Sequence, residues 1–117
     1  NPDNPFFATP IPYNSCGRDT VDLGLGSTLR NSTEAGKFRV PTLRNIALTA
    51  PYGHNGYFNT LEEIIHFYNV RDVEEYPQPE FAATVNKEEL GNLGLTQDEE
   101  AAIIAFLSTL TDGYQAD

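Results

Sequence analysis

At 117 residues, the chain is long enough for one domain and too short for two. Its formal net charge of −10 argues against binding to nucleic acid, which requires clustered Lys and Arg; it suits either plain solubility or contact with basic partners. No apolar run approaches the roughly 18–20 residues that a membrane-spanning helix needs. The single cysteine, Cys16, excludes an internal disulfide and a CxxC motif, and is either an incidental thiol or half of an interchain disulfide.

The first third of the chain is predicted to be irregular. Residues 1–36 are rich in Pro, Gly and polar residues and have weak periodicity, which favours a loop-rich segment that wraps on something else. Pro41 predicts the start of a short helix over 42–47, because proline is tolerated in a first helical turn. Pro51 predicts the end of that helix.

A longer helix is predicted to begin after Thr60. Thr60 and Glu63 form a capping box, in which each side chain accepts a hydrogen bond from an exposed N–H group of the first turn. The apolar residues that follow recur at helical spacing and predict one buried face. They are Leu61, Ile64, Ile65 and Tyr68.

The rest of the chain is predicted to be an acidic loop and a final helix. Residues 72–92 contain proline and many carboxylates, which favours loop. A second capping box, Thr96 with Glu99, predicts the last helix, and Gly113 predicts its stop. The apolar stripe of this helix comprises Ile103, Ile104, Phe106, Leu107 and Leu110.

Three side chains could carry chemistry. His54 lies in a predicted turn over residues 52–56, whose two glycines allow positive φ; it could be aimed at a ligand or be a partly exposed structural histidine. His66 lies off the apolar stripe, which favours a solvated side chain. Tyr68 lies on the stripe, and the pattern by itself favours a core aromatic over a metal ligand.

Two cations flank Pro41 in this acidic chain. Arg39 and Arg44 could hold an anionic group by charge-assisted hydrogen bonds, or they could pair with some of the seventeen carboxylates. The residues alone therefore support an acidic, mostly helical chain without a familiar catalytic motif.

A longer pattern points to a family. The run GKFRVPTLRNIALTAPYGHNG at 36–56 closely resembles the signature that follows the second haem motif in bacterial di-haem cytochrome c peroxidases and MauG-like proteins. The likeness continues through TLEEIIHFYN at 60–69, LGLT at 93–96 and AFLSTL at 105–110. Residues 1–6 also resemble the strip after the haem motif in one branch, so the resemblance covers nearly the whole chain.

The resemblance implies a mainly α, cytochrome c-like haem domain with long loops. In this family, two such domains each carry one covalent haem; one haem reduces hydrogen peroxide, and the C-terminal haem relays electrons from a small redox protein. The chain resembles the C-terminal part of that relay domain, with a loop-rich wrap over 1–36, the signature turn and ligand helix over 37–69, a loop over 70–92 and the terminal helix over 93–117.

The resemblance also implies what this chain lacks. The haem c would be attached through a CxxCH motif outside the chain, on an upstream segment or on a second chain of the same protein, so the domain is expected to be incomplete alone. The peroxidatic residues belong to the other half, and no catalytic residue is expected here. Attachment of c-type haem implies the periplasm, with no membrane span and no nucleic-acid partner.

The resemblance assigns roles to particular residues. Tyr68 occupies the position of the axial iron ligand, which is Met in the peroxidases and Tyr in MauG-like relatives, with His54 and His66 as fallback ligands. Arg39, Arg44 and His54 are expected near the haem edge and propionates. The backbone carbonyls of Thr49 and Pro51 match a calcium site between the two domains.

Two other functions fit the residues. One is a non-catalytic c-type electron carrier without a peroxidatic partner haem. The other is a haem-free binding fragment, in which Tyr68 is a core residue and His54 a turn residue. A count of haems separates the first alternative from a di-haem enzyme, and a Soret band separates both haem proteins from the second.

Overall fold

The structure is a computed structural model that describes residues 22–79 and 81–115. Over these ranges the chain is helical and contains no strand, which confirms the prediction of a mainly α fold with long loops. Cys16 and most of the predicted N-terminal loop lie outside the described residues. The α-helices are α1 (Leu25–Leu29), α2 (Leu61–Val70) and α3 (Gln97–Thr109), with 3-10 turns at Ser32–Glu34, Ile46–Leu48 and Ala82–Thr84.

The chain divides into two compact units, and the smaller one contains α1. Gly26 is buried there against Ala35, whose backbone lies where a Cβ atom on Gly26 would stand. The hydroxyl of Thr84 donates a hydrogen bond to the Ala35 carbonyl at 2.6 Å. Such a short helix depends on the close contact of Gly26 with Ala35, and the weak periodicity of this segment did not predict it.

The larger unit comprises residues 41–76 and 87–117 and contains α2 packed against α3. Its core is a cluster of buried apolar side chains from both helices and from the turn before α2. They are Tyr52, Phe58, Leu61, Ile64 and Leu107. No helix in the described ranges is long and apolar enough to cross a membrane.

Both predicted capping boxes are confirmed. The Thr60 hydroxyl accepts from the Glu63 N–H at 3.2 Å, and the Glu63 carboxylate accepts from the Thr60 N–H at 3.4 Å. At α3, Thr96 and Glu99 make the same exchange at 3.3 and 2.8 Å. The starts of both long helices are thus fixed by the residues that predicted them.

The predicted helix over residues 42–47 is wrong. Only Ile46–Leu48 forms a 3-10 turn, because Asn45 has a φ of 60° and so cannot continue a right-handed helix. Its N–H donates to the Leu110 carbonyl at 2.9 Å. A contact that is distant in sequence therefore overrides the local preference.

The buried faces of α2 and α3 are also narrower than predicted. Leu61, Ile64 and Leu107 are buried as expected, but Tyr68 is 36% exposed and Phe106 is 59% exposed. At the end of α2 the buried residue is Asn69, which is 4% exposed. The segment over residues 91–95 passes the helix at this point, and its polar backbone groups bond to a side-chain amide.

Candidate functional site

Tyr68 lies in the last turn of α2, with its side chain partly open to solvent. Its ring lies 5.9 Å from the Phe67 ring, measured between centroids. Among the described residues, nothing makes a hydrogen bond to its hydroxyl. The phenol oxygen is therefore held near the surface with its lone pairs uncommitted, which is what a ligand to a group outside these residues requires.

The backbone under Tyr68 is firmly held. The last four carbonyls of an α-helix lack partners inside the helix, so each needs another donor. Here Gly91 N–H donates to the Tyr68 carbonyl at 2.7 Å, and Leu93 N–H donates to the Asn69 carbonyl at 3.0 Å. The Phe67 and Val70 carbonyls accept from N–H groups over residues 71–74. All four carbonyls are therefore satisfied, two of them by segment 91–95.

Asn69 joins three parts of the larger unit. Its amide nitrogen donates to the Leu95 carbonyl at 2.9 Å and to the Glu100 carboxylate at 2.6 Å, and its amide oxygen accepts from the Leu95 N–H at 2.9 Å. A buried amide is stable only when such bonds are made. Neither Asn69 nor Glu100 could be predicted from the sequence, because Leu95 and Glu100 lie 26 and 31 residues from Asn69.

His66 lies between two carboxylates. Its Nδ1 is 3.0 Å from Glu100 Oε1, and its Nε2 is 3.5 Å from Glu74 Oε2. The hydrogen bond with Glu100 raises the pKa of His66, opposed by burial and aided by the charges of both glutamates. The hydrogen bonds from Asn69 and His66 lower the pKa of Glu100 against the effect of burial. Both ring nitrogens of His66 therefore face carboxylates, and this geometry favours an ion pair at His66.

His54 lies exposed in the turn that precedes α2. An antiparallel bridge between Tyr52 and Phe58 closes the turn. The Tyr52 N–H donates to the Phe58 carbonyl at 2.7 Å, and the Phe58 N–H donates to the Tyr52 carbonyl at 3.3 Å. Gly53 and Gly56 have φ values of 83° and 64°, as the sequence predicted for this turn. The turn thus presents the His54 imidazole at the surface of the larger unit.

Arg44 has a carboxylate partner within the chain. Its guanidinium makes a two-pronged contact with Asp112, with Nε and Nη2 each 2.9 Å from a carboxylate oxygen. The Asn45 amide donates to the same carboxylate at 3.1 Å, and its oxygen accepts from the Asp112 N–H at 2.7 Å. Of the two possibilities left open for Arg44, the structure realises the ion pair with a carboxylate.

Arg39 belongs to the smaller unit and is exposed. Its neighbour Lys37 forms an ion pair with Glu34 at 3.0 Å. Among the described residues, Arg39 itself has no ion pair. It therefore keeps its charge available to an anion.

The carbonyls of Thr49 and Pro51 are available to a cation. The Thr49 hydroxyl donates to the Ile46 carbonyl at 3.1 Å. Within the described ranges, neither the Thr49 nor the Pro51 carbonyl accepts a hydrogen bond. Oxygen atoms of this kind suit a hard ion such as Ca²⁺, but two of them supply only part of its usual shell of six to eight ligands.

Among the described residues, there is no group of three or more His, Cys, Asp or Glu side chains that could hold a metal ion. A phenol oxygen such as that of Tyr68 is a type of protein ligand that haem iron takes, so this side chain fits an iron porphyrin.

Known proteins that resemble this chain were found by sequence. The methylamine utilization protein MauG of Paracoccus denitrificans is 39% identical over 92% of this chain and 32% of its own length. A cytochrome-c peroxidase of Pseudomonas sp. strain SCT is 36% identical over 78% of the chain and 22% of its own length. The cytochrome c551 peroxidase of Nitrosomonas europaea is 38% identical over 74% and 20%, respectively. No family model matches the chain.

A solved structure has the same fold. It is the crystal structure of a MauG-like protein associated with microbial copper homeostasis, which superimposes with a TM-score of 0.68 at 38% identity. The superposition covers 82% of this chain and 29% of the other. The chain thus spans about a third or less of each of these relatives. Over this segment, the chain is homologous to MauG proteins and cytochrome-c peroxidases.

Proposed function

We propose that this chain is the electron-transfer portion of a periplasmic di-haem enzyme of the MauG type, with Tyr68 as the axial ligand of the haem iron. The observation that carries the proposal is the Tyr68 side chain, which is partly exposed, lacks a hydrogen bond within the described residues and lies on a firmly held helix end. The relatives of this chain support the role, because they include MauG proteins and cytochrome-c peroxidases.

The ligand type favours an oxidase of the MauG type over a simple peroxidase. A phenolate is a hard, anionic ligand that stabilises ferric iron and lowers its reduction potential, whereas a Met thioether raises it. The chain contains no Met, so this segment cannot supply the thioether. A cytochrome-c peroxidase is the second candidate, because several relatives carry that name at 34–38% identity.

The haem would be bound through a CxxCH motif outside this chain, and when bound it supplies one-electron redox chemistry. The residues of this chain would then orient the haem and neutralise the charge of its propionates. Arg39 and His54 are the residues proposed to lie near its edge and propionates. Arg44 would contribute there only if it leaves Asp112 or is shared with that carboxylate.

The Tyr68→Phe variant of the whole haem-loaded protein tests the ligand. If Tyr68 binds iron, the variant loses the ferric spectrum of the wild type, and its reduction potential rises because the anionic ligand is removed. Tyr114→Phe is a matched control. Tyr114 follows α3 in the chain, is exposed and has no proposed role. An unchanged spectrum in Tyr68→Phe would show that another group binds the iron.

The haem count and the turnover separate the candidate functions. Two haems per molecule with little peroxidase turnover favour an oxidase that acts on other side chains. Two haems with rapid reduction of hydrogen peroxide by a small redox protein favour the peroxidase. A single haem indicates an electron carrier, and colourless, iron-free protein would overturn the proposal altogether.

We also propose that Thr49 and Pro51 contribute carbonyl oxygens to a calcium site that the other domain completes. The support is that both carbonyls accept no hydrogen bond in the described part of the chain. Calcium should raise the melting temperature of the whole protein, because a ligand that binds only the folded state stabilises it. Magnesium is the control, since it requires a smaller octahedral site. Equal melting temperatures with calcium and with a chelator would exclude the site.

A further inference from the structure

The described residues contain a hydrogen-bonded group that the proposed function does not use. It consists of Asn69 in α2, Glu100 in α3 and Leu95 in the segment between them, and it lies directly beside Tyr68. We propose that Asn69 and Glu100 are positioning residues that fix where Tyr68 presents its hydroxyl. This inference rests on the proposed role of Tyr68 as the iron ligand.

Asn69 and Tyr68 are neighbours on the helix that point in different directions. Asn69 is 4% exposed and makes three hydrogen bonds, whereas Tyr68 is 36% exposed and its hydroxyl makes none in the described residues. Successive residues of an α-helix are turned by about 100°, so fixing Asn69 also fixes the direction in which Tyr68 leaves the helix. Asn69 is thus held in the interior, while the Tyr68 hydroxyl next to it faces outward.

Segment 91–95 and the Asn69 side chain act together. The amide of Asn69 bonds both the N–H and the carbonyl of Leu95, while the carbonyls of Tyr68 and Asn69 accept from Gly91 and Leu93. The last turn of α2 is therefore bonded to the segment through both side chain and backbone. Without the Asn69 side chain, the backbone hydrogen bonds from Gly91 and Leu93 would remain, but the two side-chain hydrogen bonds to Leu95 would be lost.

Glu100 connects this assembly to α3. Its carboxylate side chain is 14% exposed, accepts from Asn69 at 2.6 Å and lies 3.0 Å from His66 Nδ1. Since His66 and Asn69 are three residues apart, both face α3 from the same side of α2. Glu100 thereby joins the last two turns of α2 to α3, and Tyr68 lies within the part that it holds. Ligand geometry at a metal depends on such supporting bonds.

The test uses the whole haem-loaded protein and reads the ferric visible and EPR spectra, which report the iron ligand rather than folding. In Asn69→Ala and Glu100→Leu, we expect the balance between tyrosine-bound and other ferric species to shift about tenfold away from the bound form, in line with the loss of buried hydrogen bonds. Glu100→Gln retains an acceptor oxygen toward Asn69 and should keep the wild-type spectrum.

Leu107→Ala is the control for stability alone. Leu107 lies in α3, is buried in the core of the larger unit and makes none of the Asn69 hydrogen bonds. Its truncation should therefore lower the melting temperature and leave the spectrum unchanged. If Leu107→Ala changes the spectrum as much as Asn69→Ala does, the effect is one of general stability and the inference is wrong.

The outcomes also separate this inference from the proposed function. If Tyr68→Phe leaves the spectrum unchanged, the ligand assignment fails, and the positioning role fails with it. If Tyr68→Phe changes the spectrum while Asn69→Ala and Glu100→Leu match the wild type, only the positioning role is overturned. Where Asn69→Ala does not yield haem-loaded protein, Glu100→Leu and its rescue by Glu100→Gln decide.

Discussion

At the scale of single residues, Gly91 has the least room for a side chain at the end of α2. Its φ is 101°, and a Cβ atom there would overlap the Asp72 carboxylate and approach the Arg71 guanidinium. Its N–H and carbonyl both bond to the end of α2, at Tyr68 and Asp72. The backbone at Gly91 thus combines a conformation that favours glycine with a crowded position.

Gly91→Ala is therefore expected to reduce the free energy of unfolding by roughly 1–3 kcal/mol, through backbone strain and displacement of the Asp72 and Arg71 side chains. Gly94→Ala is the matched control, because Gly94 also has a positive φ, of 68°, but nothing lies within 4 Å of its added Cβ atom. That variant should lose only about 1 kcal/mol. Urea unfolding followed by circular dichroism measures both, and equal losses would contradict the crowding at Gly91.

The ion pair of Asp112 predicts a dependence on pH. The hydrogen bond from Arg44, and then that from Asn45, lower the pKa of Asp112 below its ordinary value of 3.8. A carboxyl group with a lowered pKa stabilises the fold above its unfolded pKa, and this stabilisation is lost as the pH falls through the folded value. The wild type should therefore melt above Asp112→Asn at pH 7.

The difference should be small, because both side chains are largely exposed. It should shrink as the pH falls below about 3.8, where the wild-type carboxyl also becomes neutral. The melting temperatures of the two proteins, measured from pH 7 to pH 3, test this. A difference that grows toward acid pH would contradict the sign of the pKa shift.

Residues whose partners are near in sequence could be predicted, and residues with distant partners could not. Thr60 and Glu63 are three positions apart, so the pattern contains both halves of the interaction. Asn69 is different, because its amide binds Leu95 and Glu100 and nothing around position 69 indicates either. The predicted site roles of Tyr68 and of the histidines came from the family resemblance, and no contact of these residues tests them.

At the scale of helices, the capping boxes make α2 and α3 independent test cases. Each threonine accepts from the N–H three residues on, and each glutamate accepts in return. Thr60→Ala and Thr96→Ala should each reduce the free energy of unfolding by about 1 kcal/mol, because the first turn then has unsatisfied N–H groups.

Thr60→Ser and Thr96→Ser are the controls, since serine keeps the hydroxyl and caps helices as well as threonine does. Chemical denaturation of the four variants provides the comparison. If the alanine and serine variants are equally stable, the caps contribute nothing to folding.

Helix starts could be predicted here more reliably than helix faces or short turns. Both long helices begin where a local motif predicts, but the buried face of α2 ends at Asn69 instead of Tyr68. The periodic pattern assumes that one apolar partner covers the whole face, whereas at the end of α2 the partner is the polar backbone of segment 91–95. The wrong prediction of a helix over 42–47 has a similar cause, because Asn45 makes hydrogen bonds to Leu110 and Asp112, which are distant in sequence.

At the scale of the whole molecule, the described residues bury little apolar surface. Among the described residues, no large side chain is less than 2% exposed, and the core cluster of the larger unit has five buried members. Many large apolar side chains are at least 36% exposed in the described ranges, including Val40, Leu48 and Phe106. A folded chain of this size needs a larger core to offset its conformational entropy.

The isolated 117-residue chain is therefore expected to be only loosely packed. Its helices should give a far-UV circular dichroism signal, because both capping boxes are local, while its six tyrosines should give a weak near-UV signal and the exposed apolar groups should bind a hydrophobic dye. Addition of the haem-bearing segment should strengthen the near-UV signal and reduce dye binding, because that segment would cover apolar surface. An unrelated acidic protein of similar size, added in place of that segment, is the control for nonspecific association. A sharp thermal transition with strong near-UV signal and no dye binding, in the isolated chain, would show that these exposed apolar residues need no partner.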